Sequence, residues 1–323
     1  MNFFVRDFKK FFIFLLRKKF TSLNLCLAFF CLLFLQTQGY YQTLKTDWQQ
    51  PQTLSSNFVL PLPVLYPQNM TGVGPPEITA QGVFIFDPSS SVELWEKNSH
   101  WRFLPASTTK MMTALVTLEH FQLDDILTVP KVVDEGQDIK LFPGERMTAE
   151  TLLYGLLVAS ANDAAQTLAA SYPAGKEAFV WKMNQKAEEL SLRETHFTNP
   201  SGLDEPEHFS SPFDLAILAK YAMSNPEFRQ IVQTQEIILT DIDGKGVHKI
   251  GNINQLLSKV DGVIGVKTGW TEEAGECLVA YVERDGREVV VVVLGSRDRF
   301  GETEKLINWV FENFQWVEPQ LNG

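Results

Sequence analysis

Apolar and polar positions divide the chain into stretches of different period. Residues 23–35 are apolar except for Asn24, and Phe20 extends the run at the front. The run falls short of the roughly 20 residues that a membrane-crossing helix needs. From residue 36 to about 77 no period holds, and Gln, Thr and Ser alternate with Pro61, Pro63, Pro67, Pro75 and Pro76, the composition of an extended tether. Apolar runs at 82–87 and 92–96, joined by Pro88-Ser89-Ser90-Ser91, predict a hairpin.

Helical spacing follows. Met111, Met112, Ala114, Leu115, Val116 and Leu118 predict a buried helix, and residues 126–129 a short strand. Thr148 is placed to cap a helix carrying Leu152, Leu153, Leu156, Leu157 and Val158, and that face breaks at Ser160-Ala161-Asn162-Asp163. Further helices are expected at 163–170, 176–190 and 213–223. Strand character returns at 263–268, 276–282 and 288–294, with a turn at 284–287 between the last two. A helix over 303–314, with Leu306, Ile307, Val310 and Phe311 inward, closes the pattern. Strands at both ends with helices between predict one α/β body plus a helical lobe.

Composition adds compartment and partners. The chain has 323 residues, 45% hydrophobic and 21% charged, enough for a substantial core. Its net charge is −11 although the first twenty residues carry Arg6, Lys9, Lys10, Arg17, Lys18 and Lys19 against Asp7, so the rest is strongly acidic and no nucleic-acid partner is expected. A basic flank before a short apolar run reads as a signal peptide or an uncleaved signal anchor. Gln36, Thr37, Gln38 and Gly39 offer no small-x-small cleavage site, which favours the anchor: a membrane contact through this segment, with the remainder extracytoplasmic, or secreted if the segment is cut. Cys26 and Cys31 lie in the apolar run, leaving Cys277 as the body's only cysteine and no disulfide there.

Candidate chemistry starts at Ser107-Thr108-Thr109-Lys110. Positions i and i+3 share a helix face, so Lys110 can reach the Ser107 hydroxyl, and a helix start leaves the Ser107 amide unpaired, half of an oxyanion hole. S-x-x-K arises about once by chance in a chain this long, so it needs partners. Ser160-x-Asn162 and Lys267-Thr268-Gly269 follow in order, at a helix–helix connection and on a late strand.

With these motifs the chain resembles the penicillin-recognising serine peptidases, and among them the D-alanyl-D-alanine carboxypeptidases of family S11, low-molecular-mass penicillin-binding proteins. The resemblance covers residues 80–316 and includes Phe142-Pro143-Gly144-Glu145, residues 159–165, Asn199-Pro200-Ser201-Gly202-Leu203 and residues 265–271. It implies an α/β fold of β-lactamase/DD-peptidase type: an antiparallel sheet flanked by helices, a helical lobe, and the active site between them. The expected division is a basic segment and anchor at 1–35, a tether at 36–77, the peptidase domain at 78–318 and a tail at 319–323.

The resemblance also implies roles. Ser107 would be the nucleophile, Lys110 its base, and Ser160 the proton donor to the departing D-alanine. Asn162 would hold the peptide, Thr268 and Lys267 the terminal carboxylate, and the Ser107 and Trp270 amides the oxyanion. Gly269 would let the strand approach the ligand, and Arg299, or Arg297 in its place, would meet the carboxylate. Lysine has a pKa of about 10.4, so half-neutralising it near pH 7 takes roughly 4.6 kcal/mol, which burial and a second ammonium such as Lys267 can supply. The implied partners are peptidoglycan stem peptides and β-lactam antibiotics.

Other readings compete. Ser160 and Asn162 would serve as caps, and Lys267 as a solvated edge charge, if the motifs were structural. Residues 262–268 have the outline of a phosphate loop but lack the glycine directly before the lysine. His100, His120, His196, His208 and His248 show no metal-ligand spacing, so neither a zinc site nor a Ser-His-Asp triad is expected, and no cofactor. A β-lactamase would need a deacylating loop glutamate, and Glu205 and Glu207 lack that setting. A D,D-endopeptidase would share the site, whereas a non-catalytic wall-binding module would bind muropeptide without cutting it.

Overall fold

The computed structural model describes residues 64–131 and 136–319. In chain order the elements are β1 (Tyr66–Asn69), β2 (Gly82–Phe86), β3 (Glu93–Lys97), a 3-10 turn (Ala106–Thr109), α1 (Lys110–His120), β4 (Ile126–Thr128) and β5 (Arg146–Thr148). There follow α2 (Ala149–Val158), α3 (Asn162–Ser171), α4 (Gly175–Glu189), α5 (Pro212–Met223), α6 (Pro226–Val232), β6 (Glu236–Thr240) and β7 (Val247–Gly251). A second 3-10 turn (Gln255–Ser258), β8 (Val263–Thr271), β9 (Gly275–Arg284), β10 (Arg287–Ser296), α7 (Arg299–Asn313) and β11 (Phe314–Val317) complete the order.

Five strands form an antiparallel sheet in the order β3-β2-β10-β9-β8. Side chains alternate between its faces. Val83, Ile85, Leu278, Ala280, Val289, Val291 and Val293 pack with Leu306, Ile307 and Val310 of α7, while Phe84, Phe86, Val279, Tyr281, Val290 and Val292 belong to the core shared with the helical lobe. Because helices cover both faces, β10 is an unbroken apolar run and not an alternating one.

In the lobe, α1 is buried over most of its length, Lys110 through Thr117, and so reads as apolar on more than one side. Thr148 caps α2 by accepting from the Thr151 amide. Between α2 and α3, Ser160 takes φ +60°, a left-handed backbone that turns the chain sharply. β8 is one of the sheet's two edge strands, and it passes against the Ala106–Thr109 turn. A Cβ at Gly269 would lie 3.0 Å from both the Ser107 nitrogen and the Ala106 Cβ, so the glycine sets how close strand and turn come. On the other side of the turn, Gly202 has φ +87° and a Cβ there would lie 1.9 Å from the Ala106 oxygen.

Three expectations are corrected. The stretch expected as tether to residue 77 enters the fold earlier: Tyr66–Asn69 pairs antiparallel with Phe314–Val317, and Pro67 is tolerated because this two-stranded ribbon is all edge. The boundary expected at 77/78 therefore moves ahead of Tyr66. The closing helix spans Arg299–Asn313, capped where Asp298 accepts from the Gly301 amide, and Phe314 leaves it to pair with β1. The lobe is also less purely helical than its pattern suggests, since the ribbons β4–β5 and β6–β7 lie within it. The expected anchor at 1–35, the tether as far as 63 and the last four residues lie outside the described residues. Among the described residues no helix is long and apolar enough to cross a membrane.

Candidate active site

The 3-10 turn delivers Ser107 and Lys110 to one side of α1. Lys110 Nζ lies 2.8 Å from Ser107 Oγ, 2.7 Å from Asn162 Oδ1 and 2.6 Å from the Ser201 carbonyl oxygen. Its side chain is fully buried. Burial pushes its pKa well below the usual lysine value, the Lys267 charge adds to that, and Asp163 opposes it. Nothing in this arrangement requires the amine to be charged: a neutral Nζ can accept the Ser107 proton where an ammonium can only donate. The first bonded amide of the turn is that of Thr108, to the Pro105 carbonyl, so the Ser107 amide precedes the internal ladder, as a helix start predicts.

A second buried amine faces it from the strand. Lys267, 1% exposed, places Nζ 2.8 Å from Ser160 Oγ and 3.0 Å from its neighbour's carbonyl, that of Thr268. Burial, followed by the charge of Arg299, lowers its pKa to about 7. A solvated edge charge is excluded by this burial. Capping by Ser160 or Asn162 is excluded as well: the residue at the cap of α3 is Ala161, and no side chain caps it. Asp163 accepts from the Ile139, Leu141 and Ala164 amides, and Glu145 accepts from the Phe142 amide and meets His248 Nε2 at 2.7 Å; both acids tie down structure.

A cavity of about 760 Å³ opens over these groups and is lined by Ser107, Ser160, Asn162, Thr268, Gly269, Trp270 and Arg299 among others. Apart from Arg297, every residue singled out from the sequence for the site lines this cavity or, for the two lysines, bonds to a residue that does. Trp270 follows Gly269 on the edge strand, with its side chain exposed at the mouth. Arg299, at the start of α7, donates from Nη1 to the Gly269 carbonyl at 2.9 Å. Arg297 instead lines a separate depression beside Thr79 and Gly295, so of the two arginines Arg299 is the one that lines this cavity. Thr268 Oγ1 and Arg299 Nε are buried without a hydrogen-bond partner. Two donors left so are suited to an anionic oxygen.

The family comparison agrees with this geometry. A family model described as D-alanyl-D-alanine carboxypeptidase, Peptidase S11, matches residues 69–298. The chain belongs to that family. Among curated relatives of this S11 chain, D-alanyl-D-alanine carboxypeptidase DacF of Bacillus subtilis is 35% identical over 246 residues, which cover 73% of this chain and 63% of the relative, less than two thirds of its length. A D-alanyl-D-alanine carboxypeptidase of Streptomyces sp. K15 is 34% identical over 262 residues, covering 75% of this chain and 90% of the relative. The crystal structure of the Streptomyces K15 DD-transpeptidase matches with a TM-score of 0.71 at 34% identity, covering 74% of this chain and all of that one. The fold implied by the sequence resemblance is therefore the fold observed.

Some contributors carry no mark in the sequence. The Ser201 carbonyl is the shortest contact of Lys110, yet a backbone oxygen has no residue type to betray it. Gln137, which also lines the cavity, is reached through a loop that no motif marks, whereas Leu203 closes the Asn199–Leu203 motif. Gly202 is visible as part of a motif, and its left-handed φ is the reason that a glycine stands there.

Proposed function

We propose that the chain is a serine-type D-alanyl-D-alanine carboxypeptidase that removes the terminal D-alanine of peptidoglycan stem pentapeptides through an acyl-enzyme on Ser107, and that β-lactams acylate the same serine. The observation that carries this reading is a fully buried amine 2.8 Å from Ser107 Oγ, with a lowered pKa and a hydroxyl, an amide oxygen and a carbonyl as its partners.

Neutral Lys110 takes the Ser107 proton as Oγ attacks the carbonyl between the two D-alanines. The Ser107 and Trp270 amides stabilise the oxyanion, each such donor contributing roughly 3 to 4 kcal/mol. Ser160, held by Lys267, passes a proton to the leaving nitrogen. Free D-alanine departs, and water hydrolyses the ester to regenerate Ser107. Thr268 Oγ1, Lys267 and Arg299 take the substrate's terminal carboxylate, which supplies an acceptor to the two buried donors that lack one. A second reading is favoured by the likeness to the Streptomyces K15 DD-transpeptidase: an enzyme of that kind would resolve the same ester with an amine in place of water. A D,D-endopeptidase would differ in the size of the leaving group.

Fluorescent penicillin should label the protein, and Ser107→Ala should abolish both labelling and D-alanine release; labelling that survives the substitution sinks the proposal. Mass analysis after incubation with a pentapeptide, with and without a diamino-acid acceptor, and with a cross-linked dimer separates the three reactions. The basic and apolar pattern of residues 1–35 supports attachment to the membrane with the catalytic domain extracytoplasmic. Protease added outside intact cells should then remove the domain, and a protected domain argues against that placement.

A further inference from the structure

His208 lies in the loop following Leu203, and the reaction proposed above makes no use of it. Its ring is buried, 2% exposed, and sits edge-on to Phe197 with centroids 5.8 Å apart. Nδ1 accepts the Thr198 backbone N–H at 3.0 Å. A backbone amide can only donate, so Nδ1 carries the lone pair and the ring proton is on Nε2. Nε2 lies 2.9 Å from Thr109 Oγ1 and donates to it.

Both ends of this strut matter to the catalytic amine. Thr109 is the last residue of the Ala106–Thr109 turn, between Ser107 and Lys110. Thr198 precedes the loop whose Ser201 carbonyl receives Lys110 Nζ at 2.6 Å, and whose Gly202 lies so near the turn that a Cβ on it would come 1.9 Å from the Ala106 oxygen and 2.9 Å from Thr109 Oγ1. One imidazole thus fixes the turn that bears the amine relative to the loop that accepts from it. We propose that His208, as its Nε2–H tautomer, is a positioning residue that holds Lys110 against Ser107 and keeps water from it by tying Thr109 to Thr198. The inference rests on the carboxypeptidase reading of the site. Glu205 and His196 on the same loop are the titratable groups that act on the ring, and Lys110 follows Thr109 on the turn. Burial outweighs the Glu205 charge and brings the ring's pKa down to about 4, so the neutral tautomer persists across the pH range of the reaction.

The test is the rate of acylation by penicillin as a function of pH. His208→Phe keeps the ring volume and removes the hydrogen bonds to Thr109 and to the amide and hydroxyl of Thr198; because sub-ångström placement controls reactivity, acylation at pH 7 should fall about 10- to 100-fold. As Lys110 regains hydration its pKa should rise, moving the acid limb of the profile to higher pH. His208→Gln, whose amide can again donate to Thr109, should recover most of the rate and return the limb, whereas the shorter His208→Asn should not. Should His208→Phe fail to fold, Thr109→Val, nearly isosteric, must show the same loss and the same shift. A residue that only stabilises the fold would lower the melting temperature without moving the limb. Full acylation with an unmoved limb in folded His208→Phe or Thr109→Val overturns the inference, as does a Gln variant no better than Phe. If the unsubstituted protein is not acylated on Ser107, the carboxypeptidase reading itself has failed.

Discussion

Two lysines are buried in the helical lobe, and the lobe treats them in opposite ways. Lys186 on α4 is 7% exposed and places Nζ 2.7 Å from Glu119 and 2.6 Å from Glu189. Burial lowers its pKa, but hydrogen bonds to the two carboxylates outweigh burial and hold the amine charged, well above the ordinary lysine value. Lys110 on α1 lies deeper, fully buried, and has three short contacts of its own, yet each is to a neutral oxygen; burial lowers its pKa first, and the charge that adds to this is another cation, Lys267. Burial therefore does not make a base. What makes one is burial with hydrogen bonds supplied and the anion withheld.

The difference is broken most severely at Lys110. Lys110→Met removes the proton acceptor while keeping an unbranched apolar chain, and acylation by penicillin should fall by about 10³- to 10⁴-fold. Two opposed effects act on stability: the substitution deletes a desolvated amine that has no ion pair, and it leaves Asn162 Oδ1 and the Ser201 carbonyl without their donor, so the protein should stay folded with a modest change in melting temperature. A variant that unfolds, or that acylates within tenfold of the parent, contradicts the contrast with Lys186.

Lys267 sharpens it from the strand side. Its charge is the second cause that lowers the Lys110 pKa, so Lys267→Met should raise that pKa and shift the acid limb of acylation to higher pH. On the proposed carboxypeptidase reading, loss of a hydrogen-bond donor to the substrate carboxylate should also weaken turnover at low substrate by about 10- to 100-fold. The stability profile follows with a definite sign. Lys267 has a folded pKa of about 7, below its unfolded value, so the unfolded chain binds more protons between them and the parent gains stability as pH rises through that window. Lys267→Met should flatten this rise, measured as melting temperature against pH. A limb that stays in place would mean that Lys267 does not tune Lys110.

The same contrast explains what the sequence could and could not disclose. Ser107 with Lys110, Ser160 with Asn162 and the Lys267–Gly269 run are side chains at short fixed spacings, so their chemistry is legible without coordinates. The central sheet is legible because two covered faces force β9 and β10 into apolar runs. The partner set that distinguishes Lys110 from Lys186 is only half so: Glu189 stands three residues after Lys186 on α4, but Glu119 of α1 and the Ser201 carbonyl are brought in by the fold. The β6–β7 hairpin escapes because Ile238 and Val247 lie exposed, which blurs the inside-outside alternation that announces a strand. Pro67 in β1 reads as a tether residue because proline disfavours a paired strand, a rule that an isolated ribbon relaxes.

The smallest effect on catalysis, and the test of the other half of the comparison, belongs to Lys186→Met. Its carboxylate partners are not sealed in: Glu119 is 31% and Glu189 51% exposed, so both rehydrate when the amine is gone. The cost is that of a half-buried ion pair and not of an orphaned charge, and a fall of about 2 to 6 °C in melting temperature is expected, with acylation unchanged. Because the folded pKa of Lys186 is raised, its contribution is fully present below the unfolded lysine value of about 10.4 and is lost as pH climbs through the folded value. The gap between parent and variant should accordingly stay constant from pH 7 to 9 and close only in strong alkali, a slope opposite to that of Lys267→Met. Parallel slopes for the two substitutions would show that the lobe does not distinguish its lysines by their partners.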